Sequence, residues 1–227
     1  MSRMSRFIFT IAALVVIAAA SSSVRADTIQ IVGVDSGQFS TATVVCEFNS
    51  ATNTFTFTIT NTSAITTPGS TSTITGIGFD LPPAGNASAS GLNGFTGAQA
   101  PSLSSNFVFS DGDLGNVPHG FTSAVLDFGF ITGNSGNFSG GSVNDGLLPG
   151  ESASFTVSGA AFTGFTEEQI CNAIFVRFQN VPLAGGSEGS DVGTPGEPVP
   201  EPSSILLLGT ALIGIGGYAR RKLNSRK

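Results

Sequence analysis

Oxygen-bearing side chains alternate in one short glycine-rich segment, and this spacing could hold a calcium ion. The segment 111–116 reads DGDLGN, so Asp111, Asp113 and Asn116 could present oxygen ligands to Ca²⁺. The segment departs from the EF-hand pattern, because Asn116 stands at the sixth position, where that loop has glycine. Thr122 stands at the twelfth position, where that loop has glutamate. A solvated turn after a strand explains the same residues, and we favour the turn.

Hydrolytic chemistry would have to use His119, which is the single histidine of the chain. It lies in the segment 117–120 (VPHG), a sequence typical of an exposed turn. A Ser–His–Asp triad is arithmetically possible, since serine and aspartate abound, but spacing alone assigns it to no particular residues. The adjacent Glu167 and Glu168 suggest a helix start rather than the carboxylate pair of a glycosidase. The sequence therefore predicts a protein that is not an enzyme and needs no cofactor.

Two cysteines, Cys46 and Cys171, offer the remaining chemistry. An even number of cysteines in an exported chain permits a disulfide. This bond would close a loop of about 125 residues. The chain-entropy relation predicts that closing such a loop stabilises the folded state by about 5 kcal/mol. The alternative is a pair of buried free thiols, because cysteine is readily buried as a small apolar residue. The wide spacing and the single histidine argue against a zinc site built on these cysteines.

The residues discussed above must be positioned by β-strands, because apolar and polar residues alternate in many segments of the chain, as they do in half-buried strands. The segment Thr54–Thr60 (TFTFTIT) places aromatic and aliphatic residues on one face and threonines on the other. The short polar link 49–53 predicts a hairpin with the preceding strand. Eight strands are predicted: Thr28–Val34, Thr41–Asn49, Thr54–Thr60, Ser72–Leu81, Phe107–Phe109, Ala124–Ile131, Ala153–Val157 and Ala173–Phe178. A capping box from Thr166 to Gln169 predicts one short helix.

The fold class predicted from this pattern is all-β. Many short strands with glycine and proline turns favour an antiparallel β-sandwich over residues 27–184, of either jelly-roll or immunoglobulin-like topology. Residues 185–202 lack apolar periodicity and are rich in glycine, serine, glutamate and proline, so they predict a flexible linker.

The N-terminal segment 1–26 has the features of a secretory signal peptide with an apolar signal helix. Arg3 and Arg6 precede a 14-residue apolar run, 7–20, and the segment 24–26 (VRA) fits a cleavage site. Between residues 27 and 202 the chain carries all 15 acidic residues and one arginine. Such a negative body repels nucleic acid, which excludes it as a partner.

The C-terminal end combines a proline motif, a short apolar span and a basic tail. The segment 199–202 reads VPEP, and residues 203–219 predict a transmembrane helix of about 25 Å. The basic tail 220–227 follows, and it would stay in the cytoplasm while the body is exported. Its first residues, Arg220, Arg221 and Lys222, form the membrane stop.

This order of segments resembles the PEP-CTERM sorting signal of Gram-negative bacteria. By that resemblance Pro200, Glu201 and Pro202 are the motif recognised by exosortase, a membrane-embedded sorting enzyme, and cleavage near it releases or transfers the protein. The inner membrane is then a transient partner, and the destination is the cell surface or the medium. Looser likenesses to domains that carry this tail occur at 148–157, and at 176–181 followed by 189–191.

The resemblance implies a non-enzymatic, exported protein of the cell envelope or the extracellular matrix. The alternative is a β-sandwich module that binds an extracellular polysaccharide, with or without Ca²⁺. Sugar-binding faces usually offer aromatic platforms, whereas this sequence has no tryptophan and its single tyrosine, Tyr218, lies in the C-terminal tail. This composition weakens the polysaccharide-binding interpretation without excluding it.

Overall fold

The computed structural model describes residues 27–65, 71–82, 95–99, 107–112, 114–133, 136–182 and 188–196. The predicted signal peptide 1–26, the predicted transmembrane helix 203–219 and the basic tail 220–227 lie outside these residues. The helices that the structure does describe are too short to cross a membrane.

Ten strands account for most of the described chain. They are β1 (Asp27–Gly33), β2 (Gly37–Asn49), β3 (Thr54–Asn61), β4 (Thr73–Phe79), β5 (Phe95–Gln99), β6 (Phe107–Asp111), β7 (Phe128–Thr132), β8 (Ser152–Gly159), β9 (Ile174–Pro182) and β10 (Glu188–Pro195). Two 3-10 turns, Val143–Asp145 and Ala160–Phe162, and one helix, α1 (Glu167–Cys171), complete the set. Each of the eight predicted strands overlaps an observed strand, and only β5 and β10 were not anticipated.

The predicted two-sheet sandwich is corrected by the strand pairing. All ten strands belong to one antiparallel sheet in the order β5-β8-β3-β2-β1-β10-β9-β4-β7-β6. Strand β1 pairs with β2 on one side and with β10 on the other. Backbone hydrogen bonds therefore continue between the two halves of the sheet, β5-β8-β3-β2-β1 and β10-β9-β4-β7-β6. Twisted sheets of about ten strands seldom stay flat, and this one curls into a half-barrel.

The concave face of the curled sheet holds the main core, which is rich in phenylalanine. The curl brings β3 against β4, where the rings of Phe57 and Phe79 have centroids 5.2 Å apart. It also brings β6 against β8, where Phe107 and Phe155 are 5.3 Å apart. The period-two alternation read from the sequence therefore does select the buried face, since Phe55, Phe57 and Ile59 are fully buried.

Strand β10 corrects the predicted linker at 185–202. Residues 188–193 of this segment pair with β9 and residues 193–195 pair with β1, so the segment is a strand that lies between two others. Its sequence, EGSDVGTP, has a single large apolar residue, Val192, which is fully buried. Backbone pairing with β9 over residues 188–193 and with β1 over residues 193–195 holds the strand in the sheet, so it needs little apolar alternation of its own.

Helix α1 begins with the predicted capping box. Thr166 Oγ1 accepts a hydrogen bond from the Gln169 amide at 3.2 Å, and Gln169 Oε1 accepts one from the Thr166 amide at 2.9 Å. The helix ends at Cys171, which the structure joins to Cys46 of β2 in a disulfide with a Cα–Cα distance of 6.2 Å. The disulfide thereby fastens the helix to the middle of the sheet.

Candidate functional site

The residues of the predicted calcium loop are only partly described. Asp111 ends β6 and is exposed, and Asn116 is also exposed, whereas Asp113 lies outside the described residues. The calcium reading of 111–116 therefore stays a prediction. Glu167 and Glu168 occupy the first turn of α1, as the capping box predicted.

A different group of side chains converges around the single histidine. We call Asp35, Ser36, His119, Ser190 and Asp191 the His119 cluster. The two residues 35 and 36 lie in the turn between β1 and β2, and the two residues 190 and 191 lie in β10. The histidine comes from the long segment between β6 and β7, so the curled sheet assembles the cluster from three separate parts of the chain.

The His119 ring is held at both nitrogens. Its Nδ1 lies 2.5 Å from Asp35 Oδ2, and its Nε2 lies 3.2 Å from Ser190 Oγ. The backbone of His119 has a φ of 63°, in the left-handed region that few non-glycine residues adopt. The segment is a turn, as predicted, but the His119 side chain is only 19% exposed. The ring is fixed in both position and orientation.

Asp191 is a fully buried carboxylate that organises the turn between β1 and β2. Its Oδ1 accepts hydrogen bonds from the amides of Val192 at 2.8 Å and Asp35 at 3.2 Å. Its Oδ2 accepts one from the Ser36 amide at 2.9 Å and another from the Ser36 hydroxyl. Four donors compensate the loss of water around this charge, which is the condition for burying a carboxylate.

Arg177, the one positive residue between 27 and 202, lies on β9 next to β10. The residue is 7% exposed, and its Nε and Nη1 find no hydrogen-bond partner among the described residues. Burial lowers the pKa of the Arg177 guanidinium, and the negative charge of Asp191 opposes this shift. Arg177 thus supplies positive potential to the buried carboxylate from the neighbouring strand.

Gly33, at the end of β1, leaves the space that the Asp191 carboxylate occupies. A Cβ at this position would lie 2.2 Å from Asp191 Oδ2 and 2.6 Å from Ser40 Cβ. We expect Gly33→Ala to lower the free energy of unfolding by about 1–3 kcal/mol, because it overpacks this site and displaces a hydrogen-bonded charge. Chemical denaturation of both proteins measures the loss.

Gly196→Ala is the matched control for this substitution. A Cβ there would have ordinary contacts, the nearest at 3.7 Å, so the stability should stay within about 0.5 kcal/mol of the wild type. Equal stability of the two variants would show that the space beside Asp191 is not needed.

The order Ser190–His119–Asp35 resembles the hydrogen-bonded order of a hydrolase triad. Two features differ from a triad. The Asp35 side chain is 58% exposed, whereas the orienting carboxylate of a triad is buried. Ser190 lies within a strand, and the Gly-x-Ser-x-Gly pattern at 185–189 is centred on Ser187, which lies outside the described residues. In addition, Asp191 would have no role in a triad made of Ser190, His119 and Asp35.

Sequence reasoning singled out His119 but missed its partners. Asp35 and Ser190 are 84 and 71 residues away from it along the chain. Both Asp35 and Ser190 are common residue types in ordinary turn-like sequences, so no local signal connects them to the histidine.

Comparison with known proteins identifies the C-terminal segment. Residues 198–222 match the family model of the PEP-CTERM protein-sorting motif. The match covers the predicted motif 200–202 and the basic stop 220–222, and it confirms the resemblance read from the sequence. The chain therefore carries the sorting signal of an exported protein. No curated protein and no solved structure matches the chain.

Proposed function

We propose that this chain is a non-enzymatic protein of the cell envelope or the extracellular matrix, delivered there by its PEP-CTERM signal. Exosortase recognises Pro200, Glu201 and Pro202, removes the C-terminal segment 203–227, and leaves the β-sheet body outside the cytoplasm. The match at residues 198–222 is the single observation that carries this proposal.

The body has properties that suit an exported, released domain. Its two cysteines are paired with each other, which favours an oxidising compartment. It carries 15 acidic residues and a single arginine, and that arginine is buried. The surface is therefore repelled by anionic lipid headgroups, so the body should leave the bilayer once the tail is removed. Binding of an extracellular polysaccharide stays a prediction.

Replacement of Pro200, Glu201 and Pro202 by alanine should keep the precursor in the membrane fraction. The wild-type protein from its native host should have an intact mass that begins near Asp27 and lacks the residues beyond about Pro202. The alanine variant should retain the C-terminal segment 203–227. Intact-mass analysis of the membrane and released fractions measures both results.

Alanine at Ser203 and Ser204 is the control, since these residues adjoin the motif without belonging to it. This variant should be processed like the wild type. A mature surface protein that keeps Ile205–Lys227, or unchanged release of the motif variant, would refute processing at this signal.

A further inference from the structure

We propose that Asp35, His119 and Asp191 bind a divalent transition-metal ion of the zinc type. One ligand atom from each residue lies within 4.8 Å of the other two, so all three can reach a common centre. An imidazole nitrogen with two carboxylate oxygens is a donor set that zinc accepts, with a water in the fourth position. The imidazole disfavours Ca²⁺ and Mg²⁺, which prefer oxygen ligands.

The histidine is already oriented as a metal ligand. Nδ1 faces the Asp35 carboxylate at 2.5 Å, and Nε2 is left to donate its hydrogen to Ser190 Oγ at 3.2 Å. Histidine ligands almost always donate their second ring N–H to an acceptor, which fixes the tautomer and the ring plane. Ser190 therefore acts as a positioning residue for His119.

One oxygen of Asp191 can bind the ion while the carboxylate keeps its hydrogen bonds to backbone amides. Its four donors fill the four lone-pair positions of a carboxylate. Three of them are backbone amides, but the fourth is the Ser36 hydroxyl, which also lies 2.6 Å from Ser40 Oγ. When that hydroxyl turns to Ser40, an Asp191 oxygen becomes free to bind metal while the amides still hold the carboxylate.

Entry of the ion needs a small movement of Asp35. Two ligands of a tetrahedral zinc ion stand about 3.3 Å apart, whereas His119 Nδ1 and Asp35 Oδ2 are now 2.5 Å apart. The Asp35 side chain is 58% exposed and lies in a turn, so it can shift by this amount and give the ion a path from solvent. His119 and Asp191, which are more deeply buried, provide the fixed part of the site.

The charges of the cluster favour a cation. Two carboxylates approach each other here, and like charges at this distance repel. Arg177 offsets part of the charge of Asp191 from the neighbouring strand, whereas the Asp35 carboxylate contacts the His119 ring. A bound ion would neutralise both carboxylates and tie the β1–β2 turn, the segment around His119 and β10 to one centre.

A metal titration on the untagged full chain in mild detergent tests the site. After removal of metals with a chelator, ZnCl₂ at about a hundredfold excess over Kd should raise Tm by about 5 °C or more. CaCl₂ should change Tm by much less. Asp35→Asn and His119→Ala should each abolish the zinc-dependent shift.

Glu47→Gln is the matched control, because it removes an exposed carboxylate near the other end of β2. It should keep the full zinc shift. If His119→Ala fails to fold, Asp35→Asn decides the question by calorimetric zinc titration, since the exposed Asp35 side chain can be changed without opening the core.

Two results would overturn the proposal. The first is a wild-type Tm that zinc does not raise, or a shift that Asp35→Asn and His119→Ala retain, which would place zinc elsewhere. The second is metal-free hydrolysis of p-nitrophenyl acetate that Ser190→Ala and His119→Ala both abolish. That result would assign the cluster to acyl transfer.

Discussion

Loss of the Cys46–Cys171 disulfide should lower the free energy of unfolding by about 5 kcal/mol, because the bond closes a loop of 125 residues in the unfolded chain. For a domain of this size the corresponding fall in Tm is about 10–20 °C. Scanning calorimetry of the Cys46→Ala/Cys171→Ala protein against the oxidised wild type measures it. The result matters for function, since a body that melts early would be degraded outside the cell.

The reduced wild-type protein is the control for this experiment. Reduction removes the cross-link but keeps both sulfur atoms, so its Tm should fall nearly as far as that of the double variant. Both cysteines are almost fully buried, and the alanine protein should lose slightly more through the small cavities that remain. A fall of less than about 2 °C in either protein would show that the unfolded chain gains little freedom when the bond is absent.

Phe57→Ala should be the most damaging substitution in the core, at about 3–5 kcal/mol of unfolding free energy. The Phe57 ring is fully buried on β3. Its centroid lies 5.0 Å from that of Phe155 on the adjacent strand and 5.2 Å from that of Phe79 across the curl. Removing it leaves a cavity at the point where the two halves of the sheet meet. Urea denaturation measures the loss.

Phe48→Ala is the matched control for Phe57→Ala. Phe48 lies on β2, is only partly buried, and within the described part of the chain has one ring neighbour, Phe162, at 5.9 Å. We expect it to cost less than half as much as Phe57→Ala. Equal losses would mean that contact across the curl contributes nothing beyond the burial of a ring.

The local elements could be predicted because their signals lie within a few residues of one another. The alternation in Thr54–Thr60 and the capping box at Thr166 each specify backbone conformation over a single strand or turn. The sorting signal is contiguous as well, so the sequence order of motif, apolar span and basic stop was sufficient to find it. Strand β10 has no such signal, since Val192 is its only large apolar residue.

The sequence by itself determined the eight apolar strands, the short helix, the negative body and the C-terminal sorting signal. Only the tertiary structure decided that β10 joins β1, that one sheet therefore curls instead of two sheets stacking, and that Asp35 and Asp191 meet at His119. The reason is that periodicity specifies which face of a strand is buried but not which strand lies beside it. Pairing between residues 155 positions apart, such as Ser36 and Asp191, depends on the whole sheet closing in one register.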